Sequence, residues 1–147
     1  MKMKGKIRLA TKKDSKTILD LLNSSTELTG DSSQNYTKEM IKEYLSNKNY
    51  IILIYESNKR IIGLLIAEIW KIAKYSYLFN IIIKKEFRRK GIAIQLIKKF
   101  EELSKKYKSK LIYLHAHKNN LKMLNLLKKI NYKKGKENIY YSKILKW

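Results

Sequence analysis

The segment of residues 79–96, FNIIIKKEFRRKGIAIQL, constrains the fold of this chain more than any other part of the sequence. An apolar run at Ile81–Ile83 leads into a basic loop, Gly91 follows, and apolar residues then recur at helical spacing. This order predicts a strand, a tight turn and a helix that begins at Gly91. The first N–H groups and the positive dipole end of that helix would therefore lie beside the basic loop.

The chemistry of this loop suits an anionic ligand. Arg88, Arg89 and Lys90 supply full positive charges, Gly91 allows a ligand to approach the backbone, and Ala93 keeps the first helical turn small. Together with the helix N-terminus, these residues indicate a phosphate or pyrophosphate site. A solvated basic turn is the alternative. The loop lacks the glycine spacing of a dinucleotide fingerprint and the Gly-Lys-Ser/Thr ending of a nucleotide P-loop.

Strands and helices alternate over the rest of the chain. Strands are predicted at Lys6–Thr11, Tyr50–Tyr55, Ile61–Trp70, Ser76–Ile83, Lys110–His117 and Ile139–Leu145, with another short strand possible around Tyr132–Lys134. Helices are predicted after Asp14 and at Thr37–Leu45, Gly91–Tyr107 and Asn120–Ile130. This order predicts one α/β domain over residues 1–147, with about four helices flanking a mixed, mostly antiparallel sheet of six to seven strands.

The formal net charge of +22 raises the possibility of a basic nucleic-acid-binding module. Residues 1–70 carry 12 basic and 8 acidic side chains, a net +4, whereas residues 71–147 carry 22 and 4, a net +18. Nearly all the basic residues are lysines, and the wealth of Ile, Asn and Tyr is what AT-rich coding produces. Most of the tyrosines lie in predicted strands rather than among the basic residues, so specific nucleic-acid binding is not expected.

Other classes of protein are disfavoured by what the sequence lacks. The chain contains no cysteine, which excludes disulfides and thiolate metal sites. No apolar run approaches the ~20 residues of a membrane span, and the basic N-terminus has no apolar signal-peptide stretch. We therefore expect a soluble, cytoplasmic protein, monomeric or homodimeric, that does not bind membranes.

The hexapeptide Arg88–Ala93 resembles the acetyl-CoA motif of the GNAT superfamily of N-acetyltransferases, in which Arg or Gln is followed three residues later by Gly and five later by Gly or Ala. Residues 7–22, 120–132 and 139–145 resemble the opening, second-motif and closing segments of the same family. The resemblance implies transfer of an acetyl group from acetyl-CoA to a primary amine, with no metal. The amine could belong to a protein N-terminus, a lysine or a small molecule.

The resemblance also implies a mode of cofactor binding. The pyrophosphate would lie on the backbone amides of Arg89–Ala93, and the pantetheine arm would run beside the backbone of Ile81–Ile83. The residues expected to bind the cofactor are Ile81, Ile82, Ile83, Arg88, Arg89, Lys90, Gly91, Ile92, Ala93, Asn120 and Leu127. Leu127 departs from the family, because many members carry a Tyr general acid there. Because a thiol has an ordinary pKa of ~8.5, a thiolate leaves without much help, and transfer could survive this loss.

Three residues are candidates for catalysis. The string YLHA, with His115 five residues before Asn120, resembles protein N-terminal acetyltransferases in which a His there acts as the base. Tyr77 would be its partner, and Glu68, in an apolar strand, is the alternative base. A packed, hydrogen-bonded histidine is the competing interpretation of His115, and His117 is expected to be structural.

The acceptor site is the least defined part of the sequence. The family resemblance directs attention to the first helices, their connecting loop and the C-terminal strand. The residues expected there are Glu27, Asp31, Tyr36, Tyr140 and Tyr141. The two carboxylates could attract a cationic amine or could simply be solvated. A GNAT-fold acyl-CoA-binding protein without efficient catalysis is the alternative to an enzyme.

Overall fold

A computed structural model describes residues 4–24 and 36–146. Two compact units emerge from the residue contacts, Met1–His115 and Ala116–Trp147. The first unit contains strands β1 (Lys6–Leu9), β2 (Tyr50–Ser57), β3 (Arg60–Trp70), β4 (Tyr75–Ile83) and β5 (Leu111–Leu114). It also contains helices α1 (Ser15–Ser24), α2 (Lys38–Ser46) and α3 (Ile92–Lys106), and the second unit contains α4 (Leu121–Lys129). Two 3-10 turns, Lys12–Asp14 and Lys85–Phe87, precede α1 and α3.

The five strands form one sheet in the order β1-β2-β3-β4-β5. Neighbours from β1 to β4 are antiparallel, and β5 runs parallel to β4. The α/β class, the four helices and the mixed sheet agree with the sequence-based prediction. The β2–β3 hairpin closes through Asn58 and Lys59. Both residues have positive φ, which a type I′ turn of two residues requires.

The predicted strand count of six to seven is wrong. Within the described part of the chain, residues 132–146 form no strand, so Ile139–Leu145 and Tyr132–Lys134 are not strands. Apolar side chains in this segment are exposed, Tyr140 by 83%. Their composition suits a strand, but strand formation also requires a neighbouring ladder of N–H and C=O partners.

Helices lie on both faces of the sheet because strand side chains alternate between the faces. On one face, Ile18 of α1 and Ile41 of α2 share a buried cluster with Ile52, Leu64 and Ile82. We call this the α1–α2 face. Opposite it, α3 buries an apolar stripe that includes Leu96 and Phe100. The first residue of α3, Ile92, packs where a Cβ on Gly63 would point. Gly63 precedes Leu64 in β3 and therefore faces the opposite side of the sheet.

The start of helix α1 is stabilised by an ion pair between Arg8 and Asp14. Asp14 is 8% exposed and accepts hydrogen bonds from Arg8 through both carboxylate oxygens, at 2.8 and 2.9 Å. The Thr11 backbone N–H also donates to this carboxylate, at 2.7 Å. These donors lower the pKa of Asp14 from 3.8 to about 2, the Arg8 side chain contributing most. The pair ties β1 to the start of α1.

The second unit is organised around α4. The Asn120 side chain accepts a hydrogen bond from the Met123 N–H, at 3.2 Å, and so caps the helix. The helix ends before Asn131, whose φ is +68°, and the Tyr132 N–H donates to the Leu127 carbonyl. Asn131 therefore supplies the left-handed residue with which helices often end. None of the helices in the described ranges is long and apolar enough to span a bilayer.

Candidate functional site

The predicted phosphate loop begins where β4 ends. After the 3-10 turn, Arg89 has φ +61° and Gly91 has φ +77°, so the chain bends twice within three residues. The N–H of Gln95 donates to the Gly91 carbonyl at 3.1 Å and closes the first turn of α3. The amides of Ile92–Ile94 precede this bond and have no intrahelical partner. The loop therefore presents several N–H groups together with the positive end of the helix dipole.

The space in front of Gly91 is open. A Cβ built on Gly91 would have no described atom within 4 Å, so an anion could approach the backbone closely. The Arg88 Nε donates to the Ile83 carbonyl at 3.0 Å and holds the guanidinium against the end of β4. The Lys90 ammonium lies 5.9 Å from the centre of the Phe87 ring. The side chain of Ile92 is buried, so this residue can offer a ligand only its backbone N–H.

The backbone edge of β4 becomes available just before the loop. The parallel pairing with β5 ends at Leu78 and Leu114, five residues before β4 itself ends. β4 continues as Phe79–Ile83 while remaining paired with β3 on its other side. This stretch includes Ile81–Ile83, predicted from the sequence to lie beside an extended ligand arm. An edge of this kind can hydrogen-bond a linear molecule as an added strand would.

A cleft of about 660 Å³ lies beside the end of β4. One side of the cleft is formed by the α1 residues Thr17, Asp20, Leu21 and Ser24. The other side is formed by Ile82, Ile83, Lys84, Lys85, Glu86 and Arg88. The cleft and the phosphate loop share Arg88, so a ligand on the loop would have room to extend along the inner side of α1.

Tyr77 and His115 meet where β4 and β5 separate. The Tyr77 Oη lies 2.6 Å from the His115 Nδ1, and the ring centres are 5.6 Å apart. Tyr77 precedes the last paired residue of β4, and His115 follows the last residue of β5. The predicted strand Lys110–His117 is shorter than expected, since it ends at Leu114. Burial raises the pKa of Tyr77 above 10, so its hydroxyl remains protonated near neutral pH.

Glu68 lies in a row of residues that crosses four strands. Tyr50, Glu68, Tyr77 and Tyr113 are successive register partners on β2, β3, β4 and β5. Register partners project from the same face, here the α1–α2 face, and Tyr44 of α2 packs on Tyr50 with ring centres 4.7 Å apart. We call this set the cross-sheet row.

Glu68 and Tyr77 were predicted from the sequence, but the rings beside them were not. Tyr50, Phe79 and Tyr113 all lie in strands whose alternation is visible in the sequence. The alternation shows which residues of one strand share a face, but it does not show which residue of the next strand lies opposite. The signal that could have found them was the density of aromatic residues in the predicted strands.

The predicted acceptor residues fall into three groups. Tyr36 lies close to the α1–α2 face, where its hydroxyl accepts a hydrogen bond from the Asn80 side chain. Burial raises its pKa, and the bond from Asn80 opposes this rise. Glu27 and Asp31 lie outside the described residues. Tyr140 and Tyr141 belong to the second unit, where both are exposed.

The remaining predicted residues also belong to the second unit. Asn120 caps α4, as described above, and its Oδ1 is engaged by a backbone N–H. Leu127 is 9% exposed and has no group that could donate a proton. The His117 Nδ1 accepts a hydrogen bond from the Asn119 N–H at 3.2 Å. In the described ranges, no three His, Asp or Glu side chains come together as a metal site would require.

The chain resembles known proteins both in sequence family and in fold. The model of the acetyltransferase (GNAT) family matches residues 16–132. No curated protein matches the chain by sequence. Several solved structures match by fold, all at low sequence identity.

One such structure is AAC(6')-Iy in complex with the bisubstrate analogue CoA-S-monomethyl-acetylneamine, with a TM-score of 0.83 and 17% identity over 97% of this chain and 100% of that one. A second is the aminoglycoside acetyltransferase meta-AAC0020 from an uncultured soil metagenomic sample, in complex with sisomicin, with a TM-score of 0.80 and 15% identity over 97% of each chain. A possible acetyltransferase from Clostridium difficile 630 has a TM-score of 0.75 and 16% identity over 96% of this chain and 98% of that one. At these identities the likeness shows the fold alone.

Proposed function

Because the chain belongs to the acetyltransferase (GNAT) family, we propose that it transfers the acetyl group of acetyl-CoA to a primary amine by direct attack. The observation that carries this proposal is the position of the Tyr77–His115 pair. The two residues meet where β4 and β5 separate, and β4 then continues as an edge that leads to the phosphate loop. A binding track for a long anionic thioester therefore begins beside a proton-accepting group.

The described residues fit acetyl-CoA in three respects. The loop at Arg89–Ala93 offers backbone amides and a helix dipole to a pyrophosphate. The open volume at Gly91 admits that group without displacing a side chain. The edge at Ile81–Ile83 can pair with the amide groups of the pantetheine arm. When bound, acetyl-CoA supplies the acetyl group as a thioester. The parts proposed for Asn120 and Leu127 rest on the family resemblance.

His115 is proposed as the base that receives the amine proton. Two tautomers satisfy its contact with Tyr77. In one, Tyr77 donates to Nδ1 and the imidazole hydrogen sits on Nε2. In the other, Nδ1–H donates to the Tyr77 oxygen and Nε2 carries the lone pair. The second arrangement leaves Nε2 able to accept a proton, so it is the one that the proposed role requires.

The groups described above account for each bond and each proton in the acetyl transfer. The amine nitrogen forms a bond to the acetyl carbon while the bond from that carbon to sulfur breaks. The proton lost by the nitrogen passes to the His115 Nε2, directly or through one water. The sulfur leaves as a thiolate, which needs little assistance because a thiol has an ordinary pKa of ~8.5. The absence of a hydroxyl at Leu127 is therefore compatible with transfer. Glu68, one strand from Tyr77, is the alternative base.

The test is release of CoA across a panel of amines, namely an N-terminal peptide, a lysine-containing peptide, simple alkylamines and sisomicin. The acetylated product should be identified by mass spectrometry in each positive case. We expect at least one amine to give CoA release well above the rate with acetyl-CoA alone. Tight binding of acetyl-CoA with no product from any amine would contradict the proposal and favour an acyl-CoA-binding protein. Glu27, Asp31, Tyr36, Tyr140 and Tyr141 remain predictions for acceptor binding.

A further inference from the structure

Glu68 places a carboxylate in the middle of an aromatic surface on the α1–α2 face. Its register partners are Tyr50 on one side and Tyr77 on the other. The Phe79 ring lies 4.8 Å from the Tyr77 ring and 6.1 Å from the Tyr50 ring, measured between centres. Phe79 is 40% exposed, so the surface is open to ligands. We call Tyr44, Tyr50, Phe79 and Glu68 the aromatic panel.

The charge of Glu68 is unusual for its surroundings. The chain carries 34 basic and 12 acidic residues, yet among the described residues no lysine or arginine forms an ion pair with Glu68. Two other carboxylates that are at least half-buried, Asp14 and Glu56, both pair with Arg8. A partly buried carboxylate without a cation is an electrostatic cost that a cationic ligand would relieve.

The rings beside Glu68 respond to its charge. The pKa of Tyr50 is raised by burial first and then by the negative charges of Glu68 and Glu43. Tyr44 shows the same direction, with burial the largest cause and Glu68 among the others. Tyrosine and phenylalanine rings attract ammonium groups within about 6 Å of their centres. The panel thus combines a carboxylate with rings that favour a bound alkylammonium ion.

We propose that the aromatic panel binds a second ammonium group of the acceptor, so that the substrate class is a small molecule with two amines. This rests on the proposed function, with the reacting amine at the Tyr77–His115 pair. Glu68 on β3 lies two strands from β5, and His115 lies two residues beyond Tyr113, the residue of β5 in the same row as Glu68. At about 4.8 Å per strand and 3.3 Å per residue, the backbones of Glu68 and His115 are roughly 12 Å apart. Each nitrogen of the ligand would lie about 3 Å from its partner group, so an alkyl chain of four to six carbons spans the remaining distance. The second ammonium remains protonated, and Glu68 acts in binding rather than in proton transfer.

The test compares two acceptors that differ only in the second amine, 1,5-diaminopentane and pentylamine. We expect the wild-type protein to prefer the diamine by about 10-fold in kcat/KM, as one ion pair and a cation–π contact would provide. In Glu68→Gln this ratio should fall to about 2 or below. Phe79→Leu should lower it several-fold, and its exposure makes misfolding a minor concern. Glu39→Gln removes the same charge from an exposed position on α2 and should keep the wild-type ratio.

Two results would overturn the inference while leaving the proposed function intact. A wild-type protein that acetylates both amines with equal kcat/KM has no second-ammonium site. A Glu68→Gln variant that loses turnover equally with both amines, and keeps their ratio, identifies Glu68 as a base. If neither amine is acetylated although acetyl-CoA binds, the full amine panel decides the proposed function, and calorimetry with the two amines decides the inference. Tighter binding of 1,5-diaminopentane by wild type than by Glu68→Gln supports the site, and equal affinity overturns it.

Discussion

The Tyr77 hydroxyl and the His115 imidazole are 2.6 Å apart although 38 residues separate them in the chain. The parallel pairing of β4 with β5 brings them together, because the strands stay paired as far as Leu78 and Leu114 and then diverge. Tyr77 is kept protonated by burial, which raises its pKa. His115 is exposed, so an amine could reach its imidazole. The predictions about catalysis follow from this pair.

Replacing His115 with Ala should lower turnover with the best amine by ~10²–10⁴-fold, because a positioned base contributes about that much. The affinity for acetyl-CoA should stay within about twofold of wild type, because the phosphate loop is unaltered. Steady-state kinetics and calorimetry measure the two effects. His117→Ala is the matched control, since the His117 side chain bonds to the Asn119 backbone and lies outside the Tyr77–His115 contact. Near-native turnover in His115→Ala would place the base elsewhere, with Glu68 the next residue to test.

Tyr77→Phe should reduce turnover by about 10-fold, less than the loss of His115 itself. The substitution removes the hydroxyl that orients the imidazole and retains the ring that packs on Phe79. Because the two residues act as a unit, the double variant with His115→Ala should be no slower than His115→Ala alone. Additive losses in this double-mutant cycle would show that Tyr77 acts independently of His115.

Gly91→Glu should weaken acetyl-CoA binding by about 10-fold or more, measured by calorimetry. A Cβ at this position points into open space where the pyrophosphate is expected, so the carboxylate would repel it. Any residue other than glycine would carry about 1 kcal/mol of backbone strain at the positive φ of Gly91. Gly91→Ala introduces this strain without the charge and so serves as a control. Gly135→Glu adds the same charge at another open position and should leave affinity unchanged. A folded Gly91→Glu variant with native affinity would refute the phosphate loop.

Asp14→Asn should lower the free energy of unfolding by about 2 kcal/mol at pH 7, judged from urea unfolding curves. The pKa of Asp14 is lowered from 3.8 to about 2, so its ion pair stabilises the fold fully above about pH 4. That contribution is lost as the pH falls through about 2, so wild type and variant should converge in stability on acidification. Asp20→Asn, on the exposed side of α1, should cost less than about 0.5 kcal/mol. A difference from wild type that is constant from pH 7 to pH 3 would argue against the ion pair as its source.

Any binding of this chain to DNA or RNA should be weak and independent of sequence. The net +18 of residues 71–147 attracts polyanions in general, and such binding weakens steeply as salt is raised. Fluorescence anisotropy with unrelated duplexes at 50 and 200 mM salt measures both properties. Tight, sequence-selective binding at physiological salt would overturn this interpretation of the charge.

Several elements could be predicted because they depend on residues close together in the chain. The apolar repeat of Ala93, Leu96, Ile97 and Phe100 predicts α3, and the chain needs only its own i, i+4 neighbours to form that stripe. Gly91 marks the start of the same helix, where the structure has a left-handed residue. The β2–β3 hairpin was predicted from two β-branched runs and a short polar turn. These features are local, so the sequence alone determined them.

The sheet and the site depended on pairings between distant residues. The run Ile139–Leu145 has the composition of a strand, but composition cannot supply a partner, and no ladder forms there among the described residues. Glu68 was predicted as an alternative base because it stood alone in an apolar strand. Only the register of β2, β3 and β4 showed that Tyr50 and Tyr77 flank it. A shift of one residue in either pairing would have turned Glu68 away from these rings.

By itself, then, the sequence determined the helices, the hairpin and the basic loop that starts α3, since backbone preference and side-chain periodicity act over a few residues. The tertiary structure alone decided the number of strands, the 2.6 Å contact of Tyr77 with His115 and the cross-sheet row around Glu68. Those features are set by strand register, and register follows from how the whole set of apolar faces packs against α1, α2 and α3.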